Sequence, residues 1–273
     1  AVMETLFRLM YQNHPARTPI AGSVESIQEI TAETLTRCHS AFYDPSNMIV
    51  CVIGDVDAAS VIEQARRQTG PGCRPEITRC YGAPETAANG PKRIEKQMEI
   101  SMPTFAIGFR CPDAGRGAEA MRMELIGELA GEMLIGESSK LYQKLYDVNG
   151  IDADFSVDYE RMKGMALLEL AGDSEDPERI LREVLQQAET IGRTGVDRAQ
   201  LERLKKSVTG RRLREFDGFE STCYRMCAYY FDGAEYLDYP EIYAGVTAED
   251  VEQFIRENVK EELAFVSVIT PKN

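Results

Sequence analysis

The chain has 273 residues, with 31 basic against 45 acidic side chains, a formal net charge of −14, no tryptophan and two histidines, His14 and His39. A charge of this sign repels phosphate backbones and anionic lipid, which argues against nucleic acid or a membrane surface as partner. The apolar runs are strand-sized, far below the ~20 residues of a membrane helix, and the first residues lack the features of a secretory signal. These features predict a cytoplasmic protein with a sizeable core. Seven cysteines, at 38, 51, 73, 80, 111, 223 and 227, are odd in number and irregular in spacing, as for reduced thiols rather than a disulfide framework. Cys223 and Cys227 are four apart on a predicted helix, but two thiols without further ligands are an incomplete metal site.

Taken in chain order, Met3, Leu6, Leu9 and Met10 predict a helix at the start. Thr31 caps a helix of about a dozen residues, followed by a short polar link and a β-branched strand ending at Ile53. The same wording returns later. Ile30 to Ile53 aligns without gaps on Val246 to Ile269 at a constant offset of 216, with six identities in 24 pairs: Thr31-Ala32-Glu33, Val50, Val52 and Ile53. Both segments spell N-cap, helix, link and strand, which predicts a duplicated unit.

Residues 70–95, with Gly70-Pro71-Gly72, Pro75, Gly82, Pro84 and Asn89-Gly90-Pro91, read as a linker. Lys96 to Arg110 then alternates as a strand broken at Pro103. Met121, Leu125, Leu129 and Met133 recur every fourth residue as a helix, and Gly136 with Ser138-Ser139 ends it and opens another through Leu141 and Leu145. Phe155 to Gly172 predicts a hairpin turning at Met162-Lys163-Gly164. Asp176-Pro177 and Asp197 start two further helices, the second carrying Arg203, Lys205, Lys206, Arg211 and Arg212 mostly outward. The stretch after Gly218, with Tyr224, Met226, Tyr229, Tyr230 and Phe231, is an aromatic stripe of the kind found in cores.

The unit therefore reads β-α-β-β-α-α-α-β, an α+β fold with helices on one face of a mainly antiparallel sheet. Residues 1–69 are expected to be the C-terminal part of a first α+β domain, 70–95 a linker, and 96–273 a complete second α+β domain. On the repeat arithmetic, about 121 residues of the first unit lie outside this chain.

Several segments carry a resemblance. His14-Pro15 with Ile20-Ala21-Gly22-Ser23-Val24-Glu25-Ser26-Ile27, then Ile30 to Leu35, Phe42 to Met48 and Val52 to Asp57, and finally Gly136 to Leu145, are similar to segments of the insulinase/pitrilysin-type zinc metallopeptidases, which include the mitochondrial processing peptidases. The resemblance implies a duplicated metallopeptidase-type fold, present as one partial and one complete copy. It also implies peptide hydrolysis by zinc held on an inverted His-x-x-Glu-His helix, with a downstream glutamate and an open position for water. That motif is absent: Pro15-Ala16-Arg17 follows His14 and Ser40-Ala41-Phe42 follows His39. Both histidines are therefore expected to be structural, and this chain is expected to hold no metal and no catalytic residue, with zinc in the intact parent.

Relatives also supply an Arg and a Tyr to substrate carbonyls from a segment after the Gly136 motif. At those places this chain has Tyr146 and Ala153, so Tyr146 is the one candidate substrate-binding residue. No G-x-S-x-G occurs, and Cys38-His39 point to different helix faces, which excludes a serine or cysteine nucleophile on sequence grounds. The expected function is that of the non-catalytic C-terminal part of a zinc metallopeptidase, walling a peptide-enclosing chamber. The alternative is an inactive subunit pairing with an active homologue. The partners implied are a peptide substrate, the missing N-terminal domain and a homologous subunit in a homo- or heterodimer.

Overall fold

The computed structural model describes residues 1–70, 72, 79–83, 85 and 90–272. Much of the 70–95 stretch, including Pro71, Cys73, Pro75, Pro84 and Asn89, lies outside the described residues. The chain opens with α1 (Val2–Met10), α2 (Val24–Gln28), α3 (Ala32–Phe42) and α4 (Ala58–Gln68). Then come strands β1 (Arg93–Met98) and β2 (Thr104–Cys111), helices α5 (Gly117–Ile135) and α6 (Lys140–Asp147), and the hairpin β3 (Ser156–Met162) and β4 (Met165–Asp173). Helices α7 (Pro177–Thr194), α8 (Arg198–Glu215), α9 (Phe219–Asp232), α10 (Tyr239–Ala244) and α11 (Ala248–Asn258) lead to β5 (Ala264–Pro271).

The five strands form one sheet in the order β1-β5-β2-β4-β3, parallel only between β1 and β5. The fold is the expected α+β class, with a corrected order. Lys96 to Arg110 is two strands, not one interrupted strand, because the chain turns at Pro103 and β5 inserts between the two halves. Proline has no N–H to continue a ladder. β1 also begins at Arg93, inside the stretch read as linker. The unit therefore runs β-β-α-α-β-β followed by five helices and β5 among the described residues.

Alternation along the strands decides the two faces. Phe105, Ile107, Phe109, Leu168, Leu170, Val266 and Val268 face the helices α5, α7, α8 and α11 in the main core. Helix α5 lies against β3 so closely that a Cβ on Gly127 would sit 2.4 Å from the Tyr159 ring, which only glycine allows. The opposite residues, Ala106, Met165, Leu167 and Phe265, pack under α1 through Leu6, Met10 and Tyr11. Thus the helix read as part of the first unit covers the bare side of the second unit's sheet. Ser267 Oγ donates to the Val2 carbonyl at 3.0 Å, and Tyr11 OH to the Ala166 carbonyl at 3.3 Å, fixing its register.

Two elements recur at the positions that the sequence alignment pairs. Helix α3, capped by Thr31, and helix α11, capped by Thr247, each span 11 residues, and each is followed by a three-residue 3₁₀ turn, Pro45–Asn47 and Glu261–Leu263, at the same offset of 216. Their surroundings differ. Where β5 is flanked by a strand on each side, residues 48–53 form no strand among the described residues, so the expected first-copy strand has no ladder.

Two further expectations fail. Arg212 is not on the solvated side of α8 but 6% exposed, drawn inward by a carboxylate on α5. On α9 only Tyr229 is core, and Tyr224, Tyr230 and Phe231 are exposed.

Candidate functional site

The Gly136 motif folds into a sharp junction between two helices. Gly136 ends α5, and Ser139 caps α6 by accepting from the Tyr142 N–H at 3.0 Å. With Leu141 and Leu145 buried at a four-residue spacing, the opposite side of α6 presents Tyr142 and Tyr146 to the outside. Their rings stack at 6.0 Å, and Tyr142 leans on Phe155 at 6.1 Å. Tyr146, the sequence-derived candidate, is half exposed beside this junction, and Ala153 lies exposed in the loop before β3.

Beside the junction lies a groove of about 460 Å³, walled by Gly136 to Ser138, Tyr142, Phe155 to Asp158, and Arg203, Ser207 and Arg211 of α8. Glu132 lies along its edge with Asp158. Burial raises the Glu132 carboxyl above the usual carboxylate range, Arg211 pulling it back and Glu137 and Asp158 pushing it further up. Ser138, Ser207, Arg203 and Arg211 line the groove with hydrogen-bonding side chains.

Behind the groove runs a stripe absent from the hydrophobic reading: Glu124, Glu128 and Glu132, one per turn along α5. Glu124 accepts from Tyr229 OH at 2.6 Å and from Arg161 Nε at 2.9 Å, while Arg161 also reaches Asp232 at 2.8 Å. Glu128 receives Arg212 on both oxygens at 2.9 and 3.1 Å, and the guanidinium lies 5.3 Å over the Tyr239 ring. Burial pushes the Glu128 carboxyl up and Arg212 draws it back. Arg212 itself is held protonated by Glu128 despite its own burial. The i, i+4, i+8 spacing of like charges was the available signal, since such a stripe is unfavourable unless bases face it.

His14 is buried with both ring nitrogens engaged: Nδ1 accepts from the Ala16 N–H at 3.1 Å and Nε2 donates to the Lys163 carbonyl at 2.9 Å. His39 sits on exposed α3, stacked on Tyr43 at 4.9 Å. Among the described residues no group of three or more His, Cys, Asp or Glu side chains is arranged to hold a metal ion. The described residues thus offer no side-chain set that fits a zinc ion.

The family described as Peptidase M16 inactive domain matches residues 29–208. Among curated relatives, the uncharacterized zinc protease YmfH of Bacillus subtilis is 30% identical over 268 residues, covering 97% of this chain and 62% of that protein. The zinc protease PqqE of Helicobacter pylori is 24% identical over 213 residues, covering 73% and 45%. Among solved structures, an M16-like peptidase from Alicyclobacillus acidocaldarius superposes with a TM-score of 0.91 at 26% identity, covering 99% of this chain and 65% of that one. A protease from Helicobacter pylori shares the fold with a TM-score of 0.85 at 16% identity, covering 99% and 66%. The chain thus spans less than two thirds of the length of each.

Proposed function

This chain belongs to the M16 peptidase family, carrying its inactive domain, and from that premise we propose that it is the C-terminal, non-catalytic part of a zinc-dependent metallopeptidase. In that role it forms part of the wall of a peptide-enclosing chamber, and catalytic zinc belongs to an upstream His-x-x-Glu-His segment of the parent. Residues 1–69 are then the closing part of a first α+β domain, 70–95 the linker and 96–273 the second domain, the two having arisen by duplication. The chain alone is inactive, and the parent works in the cytoplasm.

The observation that carries this reading is the unequal burial of matched positions. Val251, Val266 and Val268 are 0%, 6% and 3% exposed, while their first-copy counterparts Leu35, Val50 and Val52 are 61%, 64% and 49% exposed. Burying each such side chain is worth about 1.5–3 kcal/mol. Side chains patterned for a core but left in water match a domain whose remaining strands and helices come from elsewhere. The peptide partner is assigned to the groove beside α6, with the Tyr146 hydroxyl as a hydrogen-bond donor to a substrate carbonyl.

The test is to produce the 273-residue chain with and without its upstream coding segment and follow amide exchange across residues 31–53. Protection of this stretch rising in the longer chain, together with zinc-dependent peptide hydrolysis, is the expected outcome. Unchanged protection would sink the reading. A second reading, an inactive subunit pairing with an active homologue, is favoured by Tyr146 and Ala153 standing where relatives place Arg and Tyr. It predicts the same protection without bound zinc.

A further inference from the structure

We infer that Cys51 and Cys223 are a modification site, a thiol pair that closes to a disulfide when oxidised by a small disulfide such as oxidised glutathione. The two residues come from opposite ends of the chain, so their meeting is a product of the fold. Cys223 on α9 directs its Sγ at the Cys51 carbonyl oxygen, 3.8 Å away, which sets the two residues side by side. Both are part-exposed, so a small oxidant can reach them. Cys51 lies in the 48–53 segment, which belongs to no helix or strand among the described residues, so no ladder holds its backbone. Among the other described thiols, Cys38 and Cys80 are exposed, Cys111 is buried in β2 with its Sγ directed at the Phe109 carbonyl, and Cys227, one turn along α9, is part-exposed like the pair.

The thiolate of one of the two residues attacks one sulfur of oxidised glutathione, forming a mixed disulfide and releasing one glutathione thiolate, which takes up a proton. The thiolate of the other attacks the protein sulfur of that mixed disulfide, forms the Cys51–Cys223 bond and expels the second glutathione. In sum, two protein thiols are oxidised and one glutathione disulfide is reduced to two thiols. The closed bond fastens the segment after α3 to α9.

The experiment treats the native protein with oxidised glutathione, quenches with acid and an alkylating agent, and maps the peptides by mass. The expected result is a Cys51–Cys223 cross-link with no glutathione retained at either residue, in the parent chain and in Cys227→Ser. In Cys223→Ser, with Cys223→Ala as a second variant should serine disturb the fold, a stable glutathione adduct should accumulate on Cys51. The adduct should vanish in Cys51→Ser. A persistent adduct on Cys51 of the parent chain, a cross-link mapping instead to Cys38, Cys80 or Cys227, or a cross-link that forms only in denaturant would overturn the inference.

Discussion

Replacing Leu6 by alanine probes how firmly the N-terminal helix is held to the second unit's sheet. Leu6 is fully buried in a small cluster with Met10, Tyr11, Ala106, Met165, Leu167 and Phe265. The change removes three carbons, worth ~0.8 kcal/mol each on transfer, and leaves a void whose lining loses contacts, for a total of about 3 kcal/mol. Urea unfolding followed by circular dichroism at neutral pH measures it, and a loss below ~1 kcal/mol would refute the docking of α1. A second variant sharpens the test. A Cβ on Gly108 would lie 2.6 Å from Met10 Sδ and 3.1 Å from Leu6 Cδ2, so Gly108→Ala alone should cost about 1–3 kcal/mol through overpacking. In the Leu6→Ala background Met10 can move into the vacated space, and the two losses should fall short of additivity by about 1 kcal/mol. Strict additivity would mean that the two positions do not share that space.

Three further outcomes are expected. Arg212→Met leaves the part-buried Glu128 without its partner and should cost about 1–3 kcal/mol in thermal or urea unfolding, much of it recovered when Glu128→Gln is added. Glu169, opposite Asp158 in the β3–β4 pairing, has its carboxyl pushed up to about 8 by burial and by Glu160 and Asp158, against 4.5 for the free group. The folded state then binds more protons than the unfolded one between those values, so this contribution to stability is complete below pH 4.5, declines as pH rises to about 8 and is flat above. Glu169→Gln should remove that slope and be the more stable form at pH 9; a parallel pH profile would contradict the assignment. Tyr146→Phe should leave stability within ~0.5 kcal/mol because the ring is half exposed, yet weaken binding of a labelled peptide about five- to tenfold by anisotropy. Unchanged affinity removes Tyr146 from the site.

Some of this molecule is written in short range. The Thr247 cap with Asp250, the Asp176 and Asp197 caps, and the two-residue turn at Lys163-Gly164 are local bonds, so residues a few positions apart announce them. The insertion of β5 between β1 and β2 is not local: the stretch from Lys96 to Arg110 alternates whether one strand or two results, and the partner that separates them lies far along the chain. The same holds for α1, whose apolar side is plain in Leu6 and Met10 but whose sheet is not. Residues 48–53 show the converse, a sound strand pattern with no neighbouring strand among the described residues. At the candidate site, hydrophobic spacing picked out Met121, Leu125, Leu129 and Met133 on α5 and passed over Glu124, Glu128 and Glu132. Polar groups enter a core only when paired, and their bases sit on other elements: Arg161, Arg211 and Arg212.

The position of β5 between β1 and β2 constrains how the protein is made. Among the described residues β1 pairs only with β5, and α1 rests on β5 as well as β2, so both wait for residues 264–271 to be made. At ~5–20 residues per second, roughly 13–50 s separate the appearance of Met10 from that of Ala264. Throughout that interval Leu6 and Met10 have no finished surface to join, and a nascent chain of this design is a natural client for chaperones that shield apolar segments during translation.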